Sequence, residues 1–233
     1  MLYVVGTPIG NLEDITLRAL NVLRDVDYIF CEDTRVTKKL LERYQIKKPL
    51  VSYHQHSDQA KIRQLVDLIR DYNVALVTDA GTPGIADPGG KLIELVYQQL
   101  REVKIVPLPG PSALVTALSV SGLPSDKFIF KGFIPHKKGR EKFINEVLSA
   151  DQTVVFYESC HRIIRCLEKF KMQINNDNRA DKDLSKTKRV IVARELTKKF
   201  ESIYCGSVEE ILDRLKQEFP ERLPKGEFVV IVG

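Results

Sequence analysis

The segment Thr78-Asp79-Ala80-Gly81-Thr82-Pro83-Gly84-Ile85-Ala86-Asp87-Pro88-Gly89 packs glycines, prolines and two aspartates into one short run. Proline fixes φ and glycine frees it, so such a run takes one rigid and unusual path. Two further segments, Gly6-Thr7-Pro8-Ile9-Gly10-Asn11 and Pro107-Leu108-Pro109-Gly110-Pro111-Ser112-Ala113, repeat the combination. A glycine loop at the carboxyl end of a parallel strand is where open α/β sheets take ligands, because backbone without Cβ lets a ligand come close. None of the three matches G-x-G-x-x-G or G-x-x-x-x-G-K-[ST], which disfavours dinucleotide binding and nucleotide hydrolysis. One such loop reads equally well as a tight turn. Three on one sheet edge read as a ligand pocket.

Charged groups flank these loops. Glu32-Asp33-Thr34-Arg35 follows an apolar run and shares the ligand edge; it reads either as a helix cap with a surface ion pair or as a polar wall for a substrate. His54 and His56 lack a third ligand at metal spacing, so a polar loop is favoured over a metal site. Lys137-Lys138-Gly139-Arg140 reads as a phosphate contact or a solvated helix start, and Arg194-Glu195 as an internal pair or an active-site pair.

The elements that must position these residues alternate. Leu2–Val5, Tyr28–Cys31, Leu50–Ser52 and residues 74–78 and 104–108 are apolar enough for buried strands. Between them run amphipathic stretches, the clearest being Gln59–Asp71 with Ile62, Leu65, Val66 and Ile69 at helical spacing. This alternation predicts a mostly parallel sheet with helices on both faces. Strand two is expected beside strand one, since sequential strands are usually neighbours. A turn-rich segment, 121–126, precedes a restart of the pattern, with strands expected at Phe128–Phe133, 153–157, Val190–Arg194, 200–204 and 228–232, and helices at 143–148, 163–170 and 208–219. The expected domains are residues 1–122 and 123–233, both α/β. The charged stretch 175–189 reads as a mobile surface loop.

Composition narrows the classes. The chain has 233 residues, 43% hydrophobic and 29% charged, which suits a globular protein with a sizeable core. No apolar run approaches the ~20 residues that span a bilayer, and Met1–Val5 reads as a strand that begins at once, not as a signal peptide. The cysteines at 31, 160, 166 and 205 form no C-x-x-C pair, which predicts reduced thiols and a cytoplasmic protein. The net charge of +5 is a weak pointer to an anionic partner.

Taken in order, GTPIGN, EDTR, TDAGTPGIADPG, PGPSA, GFIP, YESCHR and ARELTK resemble the tetrapyrrole methylase superfamily. More narrowly, they resemble its bacterial branch of 16S rRNA (cytidine-2′-O)-methyltransferases, over nearly the whole chain. The resemblance implies two α/β domains with S-adenosyl-L-methionine in the cleft between them, and a homodimer acting on 16S rRNA within the small ribosomal subunit. It sets Pro8, Ala80, Gly81, Thr82, Ile85, Ser112 and Ala113 at the cofactor, with Tyr157, Glu158 and Leu196 from the second domain beside the adenosine. Two motifs depart from the pattern: Cys160 stands where the branch usually has proline, and residues 54–57 differ from its usual loop. The chain also stops at Val232-Gly233, where relatives generally continue through a helical segment.

Transfer from a sulfonium to a ribose hydroxyl needs alignment, and a positioned base that takes the proton contributes about 10²–10⁴-fold. Asp33, Arg35, Glu32 and Glu195 are the candidates for that acceptor-side chemistry. A tetrapyrrole carbon as acceptor and a non-catalytic RNA-binding protein are the alternatives. EDTR and YESCHR weigh against the first, and three cofactor loops against the second.

Overall fold

The computed structural model describes residues 1–54, 59–180, 188–220 and 223–233. The chain forms two compact units, Met1–Ser112 and Ala113–Gly233. In the first, strands β1 (Leu2–Val5), β2 (Tyr28–Cys31), β3 (Leu50–Ser52), β4 (Val74–Leu76) and β5 (Ile105–Leu108) alternate with helices α1 (Leu17–Asp25), α2 (Thr34–Arg43), α3 (Gln59–Asp71) and α4 (Gly89–Gln99). All strand pairs are parallel, in the order β3-β2-β4-β1-β5.

The pleat sorts side chains between two cores. Ile29, Cys31, Ala75 and Val5 face one way, against Ala19, Leu20 and Leu23 of α1 and Leu40 and Leu41 of α2. Phe30, Val74, Leu76 and Leu2 face the other way, against Leu65, Val66 and Ile69 of α3 and Leu92 and Val96 of α4. Truncating one of these, such as Leu76→Ala, costs about 2–5 kcal/mol. The helices start where their sequences supply caps: Thr16 Oγ1 accepts from Ala19 N (3.0 Å) and Asp33 Oδ1 from Arg35 N (2.8 Å).

One topological expectation fails. Strand β2 does not lie beside β1, because β4 sits between them and pairs with both. The chain steps one way through β2 and β3, then returns to fill the gap with β4, whose three residues are all buried. Right-handed crossovers therefore put α1 and α2 on one face and α3 and α4 on the other. The connections leaving β1 and β4 run in opposite directions, which makes the carboxyl ends of these neighbours a topological switch point.

The second unit holds α5 (Ala113–Ser119), β6 (Phe128–Phe133), α6 (Arg140–Leu148), β7 (Thr153–Ser159), α7 (Ile163–Ala180), β8 (Val190–Arg194), β9 (Ser202–Gly206), α8 (Val208–Glu218) and β10 (Glu227–Val232). Its sheet order is β6-β7-β10-β8-β9, with only β6 and β7 parallel. Helices α6, α7 and α8 share one core through Phe143, Ile144, Cys166, Leu167, Ile211 and Leu215, and α5 packs against β10. The turn at 121–126 follows α5, which already belongs to this unit.

Two element boundaries also shift. Strand β9 starts at Ser202, not at Phe200, because Glu201 N donates to Lys198 O (3.1 Å) and Phe200 O is held by Arg194 Nη1 (3.2 Å), which closes a turn first. Helix α7 runs to Ala180, through the first part of the stretch read as a loop. Of the rest of that stretch, residues 181–187 lie outside the described residues.

Candidate functional site

The three glycine-proline loops meet at the switch point of the first unit. Thr7 N donates to Gly81 O (2.9 Å) and Gly81 N donates back to Thr7 O (3.0 Å), an isolated bridge that fastens the β1 loop to the β4 loop. Thr7 is buried, and its Oγ1 donates to Thr78 O (3.0 Å). Thr82 Oγ1 donates to Pro111 O (3.1 Å), fastening the β4 loop to the β5 loop. The β1 and β5 loops touch through bare backbone, since a Cβ on Gly6 would stand 2.9 Å from Gly110 Cα.

Gly81 adopts φ +89°, a conformation L side chains rarely take, so the β4 side of this junction is bare backbone, with Ile9 Cγ2 3.5 Å from where a Cβ would stand. Asp87 holds the far end of the β4 loop, accepting from Gly84 N (2.8 Å) and Gly89 N (2.7 Å). Pro8 and Gly81 are buried, Thr82 and Ser112 half-buried, and Ala80 exposed. Ile85 leaves 47% of its surface to solvent, which is high for an isoleucine in so constrained a loop. These are the first-unit residues singled out for the cofactor, and the loops bring them together. Ala113 is half-buried and begins α5 of the second unit.

The EDTR corner joins the same edge through β4. Asp33 N donates to Asp79 Oδ1 (3.0 Å), and Thr78 Oγ1 donates to Glu32 Oε2 (3.2 Å). Four carboxylates thus gather here with unequal duties. Asp79 and Asp87 fix backbone. Asp33 caps α2 and grips Arg35, whose Nη2 lies 2.6 Å from its Oδ2 and whose Nε lies 3.0 Å from its Oδ1. The Arg35 bonds pull Asp33 down to about 2. The Arg35 side chain is 86% exposed. Glu32 accepts instead from a hydroxyl; burial pushes its carboxyl above the usual range, opposed by the Thr78 bond and by His54. Asp33 is therefore the weaker base of the two. His56, the other histidine of the expected polar loop, lies outside the described residues.

In the second unit, Tyr157 stacks edge-on with Phe130 (5.1 Å) and Phe133 (5.2 Å), and burial raises its hydroxyl pKa. The Glu158 carboxylate is fully buried between Arg140 Nη2 (3.2 Å) and Arg162 Nη2 (2.9 Å), and it accepts from Ser159 N (2.7 Å). Its side chain is thereby committed to joining β7 to the starts of α6 and α7. Glu195 accepts from Lys198 Nζ (2.9 Å) and Glu227 N (3.0 Å). Burial favours its neutral form, but these two bonds outweigh that and lower its pKa. Arg194 does not pair with Glu195; it donates to Lys225 O (2.7 Å) and Phe200 O (3.2 Å). Leu196 is buried between Glu195 (φ 50°) and Thr197 (φ 66°), and a β-branched residue at positive φ is a strained feature of the kind that clusters at functional sites.

Sequence reasoning missed Thr7 as the joining residue and the backbone duties of Asp79 and Asp87. Thr7 carried a weak signal, lying between Gly6 and Pro8. The aspartates were visible as loop components, but not as clamps. Among the described residues, no group of three His, Cys, Asp or Glu side chains is placed to hold a metal ion, and no helix is long and apolar enough to cross a membrane.

A parallel sheet with bridged glycine loops at its switch point defines the open α/β class, in which the crevice at the carboxyl ends of the strands is the ordinary place for a ligand. The model of the family described as Tetrapyrrole (Corrin/Porphyrin) Methylases matches residues 1–212, and the chain belongs to that family and is a methyltransferase. It is 41% identical over 233 residues to Ribosomal RNA small subunit methyltransferase I of Thermotoga maritima, spanning 100% of this chain and 97% of that protein. It is 44% identical over 233 residues to the protein of the same name from Escherichia coli O157:H7, spanning 99% of this chain and 77% of that protein. Among solved structures, diphthine synthase superposes with a TM-score of 0.72 at 15% identity, covering 99% of this chain and 88% of its own. Uroporphyrin-III-C-methyltransferase from Thermus thermophilus superposes with a TM-score of 0.62 at 20% identity, covering 99% of this chain and 93% of its own. These two likenesses establish the fold.

Proposed function

We propose that this protein methylates the ribose 2′-hydroxyl of a cytidine in 16S rRNA, using S-adenosylmethionine. The observation that carries the reading is the reciprocal Thr7–Gly81 bridge, which fastens two glycine loops together at the switch point and keeps a Cβ off the backbone at Gly81. Identity above 40% to small-subunit rRNA methyltransferases supports the choice of acceptor. The residues present suit the cofactor: Gly6, Gly81 and Gly110 keep Cβ atoms out of the junction, and Pro8, Ala80, Thr82, Ile85 and Ser112 would hold the cofactor around it. When bound, S-adenosylmethionine supplies an electrophilic methyl group.

On the acceptor side we assign Glu32 as the base that takes the ribose hydroxyl proton. Its neighbours Asp33, Asp79 and Asp87 are committed to backbone and to Arg35, while Glu32 is held by one hydroxyl and partly desolvated. Asp33 and Arg35 form a polar wall beside it. Glu195, engaged by Lys198 and Glu227 N, is not assigned a proton-transfer role.

The test is transfer of labelled methyl from the cofactor to small-subunit particles that lack the modification, followed by mapping. Label on the 2′-oxygen of one cytidine is expected. Label on a base, or none on RNA with the cofactor bound, overturns the reading.

A further inference from the structure

Parallel strands β6 and β7 end on the same edge of the second sheet, and α6 and α7 both start there. Helix α6 opens at Gly139, in the left-handed conformation at φ 85° and without a side-chain cap. Arg140 N turns back to Lys137 O (3.4 Å), which leaves the N–H groups of Glu141 and Lys142 and the partial positive charge of the helix start to other partners. Its first residue is Arg140, and Arg162 immediately precedes α7.

Beneath this mouth lies an unbalanced ion cluster. Two guanidiniums, Arg140 and Arg162, share the single carboxylate of Glu158. Arg140 is 8% exposed, yet its Nε has no partner, and neither does Nη1 of Arg162. The adjacent Cys166 thiol does not restore balance, because burial pushes it up to about 12 and it stays protonated. A buried cation left uncompensated is costly, and a further anion would complete it. Above the cluster the chain exposes His136, Lys137 and Lys138. The only acidic residue in the first turn of α6 is Glu141. Two features therefore point to one ligand chemistry: an uncapped helix start, and a nine-tenths-buried arginine with an orphan donor.

We propose that this shoulder, built from Lys137, Lys138, the first turn of α6 and the Arg140–Glu158–Arg162 cluster, grips a backbone phosphate of the RNA substrate. The proposal rests on the rRNA reading above and adds to it a second contact, in the second unit, that carries no sequence information. Helix N-termini and lysines are ordinary phosphate partners, and phosphate contacts position a nucleic acid without reading its bases.

The test is the salt dependence of binding to a 16S rRNA fragment by the full chain and by a Lys137→Ala/Lys138→Ala double variant. Both lysines are exposed, so melting temperature and cofactor affinity should not move. Each lost phosphate contact flattens the log–log slope by about 0.7 on single strands and 0.9 on duplex. The double variant is expected to lose about one to two contacts' worth of slope, by the same amount on RNA and on its deoxy-substituted counterpart. Wild type that binds with a steep slope, together with a variant that keeps all of it, overturns the site alone. Loss confined to the ribose form overturns the phosphate assignment. A wild type with no salt-dependent RNA binding overturns both the site and the rRNA reading.

Discussion

Glu32 and Asp33 are adjacent carboxylates whose surroundings push them in opposite directions. Arg35 holds Asp33 down at about 2, whereas burial lifts Glu32 against the Thr78 bond. For Glu32 the folded chain binds more protons than the unfolded one between the ordinary glutamate value and the raised one, so its contribution to stability falls as pH rises through that window. Glu32→Gln should therefore leave the melting temperature at neutral pH equal or higher while cutting methyl transfer by about 10²–10⁴-fold. A variant that loses stability and keeps transfer would show that the side chain is structural. The wild-type rate should climb with pH through the raised Glu32 pKa and then level off, and this limb should vanish in the glutamine variant. Asp33→Asn is the contrast: asparagine caps a helix as well as aspartate, so transfer should fall by less than tenfold. The sequence showed that an acidic pair lay on this edge. It did not show which member was free, because that depends on Asp79 and Thr78 arriving from a strand 46 residues away.

At the scale of elements, the loops were legible because glycine and proline mark their own geometry, while the order of the strands was not. Each strand of the first unit is apolar enough for any slot. Period and composition cannot say that β4 takes the one between β1 and β2. The far end of α7 was hidden for a different reason: backbone hydrogen bonding carries the helix past its last core-facing positions into polar sequence, where no apolar period remains to be read. Contact between loops gives a test at the same scale. A Gly6→Ala methyl would meet Gly110 Cα at 2.9 Å, with backbone on both sides and nothing flexible to yield. The β1 and β5 loops should part, weakening S-adenosylmethionine binding by at least about tenfold, or ~1.4 kcal/mol, with the far-ultraviolet dichroism of the sheet retained. Gly81→Val should do the same through strain at φ +89°. Equal cofactor affinity by calorimetry in both variants would remove these glycines from the site.

For the whole molecule, an ordered set of motifs spread along the chain made the family legible, and no single loop would have done so. GTPIGN alone is a turn; followed by TDAGTPGIADPG and ARELTK, it marks a chain that the family model matches over residues 1–212. Assembly left no comparable mark in the sequence. We expect a homodimer, since twofold pairs are the commonest oligomer, and sedimentation at micromolar concentration should give twice the 26.5 kDa of one chain. The choice of acceptor is tested most sharply by one oxygen. The 2′-hydroxyl distinguishes RNA from DNA at a site, while phosphate contacts are the same for both. Replacing the target cytidine with deoxycytidine in an otherwise unchanged RNA should abolish transfer and leave affinity within about threefold, because the largest share of binding comes from the backbone. Methylation that persists on the deoxynucleotide would mean that a base atom is the acceptor, and Glu32 would then have no ribose proton to take.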